Sequence, residues 1–188
     1  MKKAILPVFA CAVMLVACGG EKKVKVYASG KVKIEGNNIT LEPGTSHEDK
    51  DMSVSGTEIT VDNGSGKTTV AVPEDGLYVL NLKTDTLVGA YQNVGEGAGV
   101  SKISQEQLQT KIDSLDQLTR GMNVTAANRN FCIAPGKIQK ISGNTASQVV
   151  GPFLKLPSSF EGGKELEVYK FSTNKEIAEL IEKLKKLQ

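Results

Sequence analysis

Val32-Lys33-Ile34-Glu35-Gly36-Asn37-Asn38-Ile39-Thr40-Leu41-Glu42-Pro43-Gly44 sets the class of fold. Its apolar residues fall at every second position on either side of Gly36-Asn37-Asn38, the period of a half-buried strand broken by turn residues. The same pattern returns twenty residues on, from Met52 to Gly64, with Gly36/Gly56, Ile39/Ile59, Thr40/Thr60 and Gly44/Gly64 identical. Stacking repeats need about three copies to bury a continuous core. Only a faint third copy, at Gly76 and Val79, can be found. Repeated hairpins in a sandwich or open sheet are therefore expected, with a short β-solenoid as the alternative.

Outward from this stretch, alternation also marks Val24 and Val26, Ile59 to Val61, Thr68 to Val72 and Leu77 to Leu82. Pro43-Gly44, Asn63-Gly64-Ser65-Gly66 and Pro73-Glu74-Asp75-Gly76 read as the intervening turns. Residues 24–93 thus form a β domain, and the glycine-rich segment 94–103 reads as a linker. Residues 104–188 carry both periods. Ser104 with Gln107 makes a capping box opening a helix that buries Leu108, Ile112, Leu115 and Leu118, with Gly121 as terminator. Strands are expected at Asn130–Ala134, Lys137–Ile141, Phe153–Leu156 and Glu165–Phe171. A second capping box, Thr173 with Glu176, starts a helix whose buried stripe is Ile177, Leu180, Ile181, Leu184 and Leu187. Glu179/Lys183 and Glu182/Lys186 are spaced to pair on its outer face. The class is α+β: an antiparallel β half followed by an α-β-β-β-β-α block.

The first seventeen residues stand apart. Lys2 and Lys3 precede an apolar run, Ala4 to Ala17, too short to span a bilayer. It ends in Leu15-Val16-Ala17-Cys18-Gly19, which resembles the lipobox of bacterial lipoproteins. The resemblance covers about the first twenty residues only. It implies a signal peptide over 1–17, diacylglycerol on the Cys18 sulfur, and a short tether over 18–23 to the membrane. By the same resemblance, Gly19 in place of Asp implies the outer membrane, or the outer leaflet of the plasma membrane where no outer membrane exists.

Without residues 1–17 the chain holds 21 basic and 21 acidic residues. Residues 24–93 carry six Lys against ten acids, and residues 94–188 carry thirteen basic against ten acidic. Neither half has the basic footprint of a nucleic-acid binder. Of the three cysteines, the same resemblance implies that Cys11 leaves with the leader and Cys18 takes lipid. Cys132 alone remains, so stability must come from packing rather than a disulfide.

Chemistry-bearing motifs are few. Gly64-Ser65-Gly66-Lys67-Thr68-Thr69 lacks the earlier glycine and the following helix of a phosphate loop. Gly95-Glu96-Gly97-Ala98-Gly99 lacks the spacing of a dinucleotide fingerprint. Glu48, Asp49 and Asp51, beside His47 in the polar segment Thr45–Asp51, are the candidate oxygen ligands for a Ca²⁺ ion. The competing reading is a solvated loop in which Lys50 opposes the charge. Cys132, flanked by Phe131 and Ile133, reads as a buried structural thiol rather than a nucleophile paired with His47. No catalytic residue, cofactor or resident metal is assigned. The chain reads as a lipid-anchored, non-enzymatic envelope protein that binds a protein or glycan partner. The alternative is a carrier of a small ligand (glycan or lipid), or a hydrolase, with an apolar cleft between the halves lined by inward carboxylates or amides such as Asn128 and Asn130.

Overall fold

The structure, a computed structural model, describes residues 20–92, 104–125, 127–156 and 166–188. The leader, Cys18 and the 94–103 segment lie outside the described residues. Twelve elements follow in order: β1 (Lys22–Glu35), β2 (Asn38–Ser53), β3 (Glu58–Asp62), β4 (Lys67–Ala71), β5 (Gly76–Leu82), β6 (Leu87–Gln92), α1 (Gln105–Thr119), β7 (Asn130–Ile133), β8 (Ile138–Ser142), β9 (Gln148–Val150), β10 (Val168–Thr173) and α2 (Asn174–Lys185). The fold is α+β with an N-terminal β half, as the alternation implies.

Six strands form a curled mixed sheet in the order β4-β3-β2-β1-β5-β8. Four more form a second sheet, β7-β6-β10-β9. The first repeat copy is the β1–β2 hairpin. The second copy carries β3 alongside the start of β2 in parallel, Asn38 opposite Thr60 and Ile39 opposite Val61. Asn37 joins the copies: its side chain accepts from Ser55 N–H at 3.1 Å and donates to Glu58 O at 3.0 Å. The offset of twenty thus places similar sequences side by side.

Three cores separate the layers. Val24, Val26, Ile39, Ile59, Val72 and Leu80 lie inside the curl of the first sheet. Its other face sends Tyr27, Val79 and Ile141 against Leu87, Phe131, Ile133, Tyr169 and Phe171 of the second sheet. Aromatic rings thus make up much of the contact between the two sheets. Val88, on the far face of the second sheet, meets Leu108, Ile112 and Leu118 of α1 and Ile177 and Ile181 of α2.

The halves trade strands. β6 pairs with β7 and β10, and β8 pairs with β5. Asn81 sits at this exchange, fully buried. Its amide donates to Asp85 O at 2.9 Å and Ile133 O at 2.8 Å, and its carbonyl accepts from Lys83 N–H at 2.9 Å.

Both capping boxes are present. At the end of α1, Gly121 N–H reaches Leu118 O at 3.0 Å and Met122 N–H reaches Gln117 O at 2.9 Å. This is the paired-bond helix stop that needs positive φ at Gly121, here 69°.

Other expectations are corrected. Thr45–Asp51 is no loop: all of it lies in β2, whose residues 47–51 pair with β1. Pro43-Gly44 opens a bulge instead of a turn, since Gly30 pairs with Pro43 while Ser29 pairs with His47. Phe153–Leu156 is not a strand; β9 lies earlier, at Gln148–Val150. Leu180 is exposed on α2, Leu187 lies exposed beyond its end, and Glu182 pairs with Lys185 at i,i+3. Cys132 is half-buried because the alternation that buries Phe131 and Ile133 turns it to the opposite face, its sulfur 3.9 Å from where a Cβ on Gly121 would stand.

Candidate functional site

The site grows from a fork in the first sheet. β1 and β5 run parallel as far as Ala28 and Leu82, where β5 ends and β1 continues. The hairpin then kinks at Gly30, whose φ is 116°. A Cβ there would stand 2.0 Å from Glu42 O, so only glycine lets the two backbones approach this closely.

Lys83 enters the fork. Its side chain is buried, and its ammonium donates to Ala28 O at 3.2 Å and to His47 Nδ1 at 3.1 Å. An ammonium can only donate, so Nδ1 is the accepting nitrogen and the ring proton sits on Nε2. Nε2 is buried without a hydrogen bond, 3.9 Å from Asp49 Oδ1. Tyr27 stacks on His47 with centroids 6.1 Å apart, and its buried hydroxyl also lacks a partner.

A tight turn, Gly151 to Leu154, forms the outer wall. Leu154 N–H closes it on Gly151 O at 3.4 Å, with Pro152 at its second position and Phe153 at φ 65° in its third. Glycine or asparagine is favoured at that third position, and a bulky residue held there costs about 1–3 kcal/mol. Glu176 holds it in place, accepting from Phe153 N–H at 2.7 Å while completing the α2 capping box. Lys170 donates to Gly151 O at 2.7 Å and to Leu154 O. A Cβ on Gly151 would stand 2.2 Å from the Tyr27 ring, so the turn rests directly on it. The Phe153 ring stands 62% exposed, edge-on to His47 at 5.4 Å and 5.5 Å from the Lys83 ammonium.

Burial, reinforced by Lys83, holds the His47 imidazole below its ordinary range. Burial likewise lowers the Lys83 and Lys170 ammonium groups. It also pushes the Tyr27 phenol far upward, with Asp49 and Asp51 adding to the effect. The folded state therefore favours neutral His47, while the unfolded chain binds a proton below about pH 6.5. Stability should be full above that value and decline as pH falls through it toward the folded-state pKa. Chemical denaturation across the range from about pH 7.5 to about pH 5.5 tests this. His47→Gln should flatten the decline, and an unchanged slope would discard it.

The carboxylates expected to gather around a cation do not converge. β2 places Asp49 and Asp51 on one face, where Lys25 bridges them at 2.7 Å and 3.1 Å. Glu48 lies on the other face, accepting from Val32 N–H at 2.6 Å and pairing with Lys50 at 3.1 Å. Among the described residues no three His, Cys, Asp or Glu side chains form a metal-holding group. Cys132 lies in the second sheet facing the helices, away from this site, and burial raises its thiol pKa. Asn128 and Asn130 are exposed or half-buried and bond to Asn123.

The polar composition around His47 places it in a loop, whereas it lies in β2. Nothing in the sequence around Lys83, Tyr27 or Phe153 marks them as site residues. The one available signal was Pro152 at the second position of a turn. Comparison with protein-family models, curated proteins and solved structures returned no match, so the site is read from its own geometry.

Proposed function

We propose that this chain is a lipid-anchored protein of the bacterial cell envelope that acts by binding a protein or glycan partner. The observation carrying the anchor is Leu15-Val16-Ala17-Cys18-Gly19, followed so soon by the first strand at Lys22. Each buried acyl CH₂ contributes about 0.8 kcal/mol, and two or three chains on one sulfur make escape from lipid slow. Glu21 docks the start of β1, its carbonyl accepting from Gly76 N–H at 3.0 Å and its carboxylate from Thr145 Oγ1 at 3.0 Å. With only Gly19 and Gly20 between Cys18 and Glu21, the end of the body holding Gly76 and Thr145 would face the headgroups. By resemblance, Gly19 after the cysteine favours the outer membrane.

The site around His47 supports binding as the mode of action. It offers an exposed aromatic ring over a buried cation, and the imidazole has no serine or cysteine bonded to it among the described residues. Strain and unpaired polar groups concentrate where proteins meet ligands.

Labelling of cells with a palmitate analogue, together with mass spectrometry of the processed N-terminus, tests the anchor. Cys18→Ala should abolish the label and move most of the protein out of the membrane fraction. A bare Cys18 thiol at the mature N-terminus would refute it. Affinity capture from cross-linked envelopes, with Phe153→Ser as control, tests the binding surface; capture unaffected by that change would place the contact elsewhere.

A further inference from the structure

His47, the single histidine of the chain, supports the exposed ring of Phe153 and at the same time accepts a hydrogen bond from a cation. We propose that it is an acid-sensitive switch for that surface: the neutral imidazole seats the Phe153 ring, and the imidazolium unseats it. The inference concerns the regulation of the binding surface proposed above and rests on that reading.

The geometry leaves Nδ1 one role. The Lys83 ammonium stands 3.1 Å away and can only donate, so Nδ1 accepts. A proton taken up at Nδ1 points one donor at another and sets two cations side by side. Lys83 has an alternative in Ala28 O, at 3.2 Å, and withdraws toward it. The ring has one too, because Nε2 makes no hydrogen bond and lies 3.9 Å from Asp49 Oδ1. Turning toward that carboxylate takes the imidazole away from Phe153, whose ring it meets edge-on at 5.4 Å. Withdrawal of Lys83 removes the cation held 5.5 Å from the same ring.

Every element around the imidazole bears on the balance. From β1 come Tyr27, kept neutral by its burial, and Lys25, which opposes protonation. Lys83, after β5, opposes it more strongly, while Asp49 of β2 and Glu176 of α2 favour the charged form. Asp85 and Glu176 act to keep Lys83 itself charged. The backbone of the turn is held independently of His47. Glu176 accepts from Phe153 N–H at 2.7 Å, and Lys170 donates to Gly151 O at 2.7 Å. The movement is therefore that of a side chain on a fixed support, a local charge change with a readable outcome at the surface.

Fluorine NMR of the full chain in detergent micelles, labelled with 4-fluorophenylalanine, tests this from about pH 7.5 to about pH 5. The Phe153 resonance, identified by its loss in Phe153→Leu, should follow one titration curve. Its midpoint should match that of the His47 ring protons and lie below the ordinary histidine value of about 6.5. The resonances of Phe131 and Phe171, buried in the core, should stay in place. His47→Gln should abolish the Phe153 shift, and Lys83→Met should raise the His47 midpoint. A Phe153 resonance that stays still, that moves with a midpoint different from that of His47, or that moves together with Phe131 and Phe171 overturns the switch. Those three readings are made on the unsubstituted chain. No partner is present in the measurement, so a failed switch is distinct from a failed binding surface, which the capture experiment addresses.

Discussion

Replacing Asn81 by leucine is expected to remove about 3–5 kcal/mol of unfolding free energy. The substitution keeps the bulk but deletes both amide bonds and the acceptor for Lys83 N–H. The Ile133 carbonyl then faces a leucine within the fold, and a buried group left unsatisfied costs about 1–3 kcal/mol. Asp85 O, whose bond is only part-buried, recovers some of its loss through water, which keeps the total below three full penalties. The main-chain bonds of Asn81, from its N–H to Lys137 O and from Gly136 N–H to its carbonyl, do not depend on the side chain and should persist. The loss is thus a weakened native fold rather than a different one. Guanidinium denaturation monitored by circular dichroism measures it, and a change below about 1 kcal/mol would show that the amide does not pin the two sheets.

Replacing Gly89 by valine should be as damaging for a steric reason. Gly89 lies directly across from Phe171, and a Cβ there would stand 2.3 Å from the phenyl ring. The ring has nowhere to go, because Phe171 is fully buried between Phe131 and Tyr27. Overpacking a finished core costs about 1–3 kcal/mol, and more where no neighbour can yield. Valine should sit at or beyond the top of that range. A second variant separates clash from any loss of backbone freedom. Phe171→Leu alone should destabilise by leaving a partial void, whereas with Gly89→Val it vacates some of the space the new methyls need. The double variant should be more stable than the sum of the singles by about 1 kcal/mol or more. Strict additivity would show that the glycine serves the backbone and not the ring.

Much of this architecture was legible in the chain because local patterns and tertiary demands agree. Both capping boxes, the Gly121 helix stop, the strands at Ile59–Val61 and Leu77–Leu82, and the positions of β7, β8 and α2 in the C-terminal block can be read directly from spacing. Legibility failed where burial overrides composition. Thr45–Asp51 looks like solvated loop because it is almost wholly polar, yet lysines and a main-chain N–H satisfy its acids and β1 satisfies its backbone. Phe153 reads as a strand residue because it is aromatic, whereas Glu176 and Lys170 pin the turn that carries it. Lys83 carries no local signal at all. Its role depends on where β5 stops relative to β1, a relation between segments fifty-five residues apart.

The exchange of strands has a consequence for how the molecule comes into being. A nascent polypeptide released only as far as Gln92 has made β5 with one flank unclaimed and β6 with no companion on either side. Its assembly must await β8, β7 and β10, so neither half is a finished module that evolution or a protease can detach. Such distant pairings are slow to find. Until they are found, β5 and β6 stand as open edges beside a first core that residues 24–80 supply alone, and the second core closes only when the last hundred residues fold back onto the first.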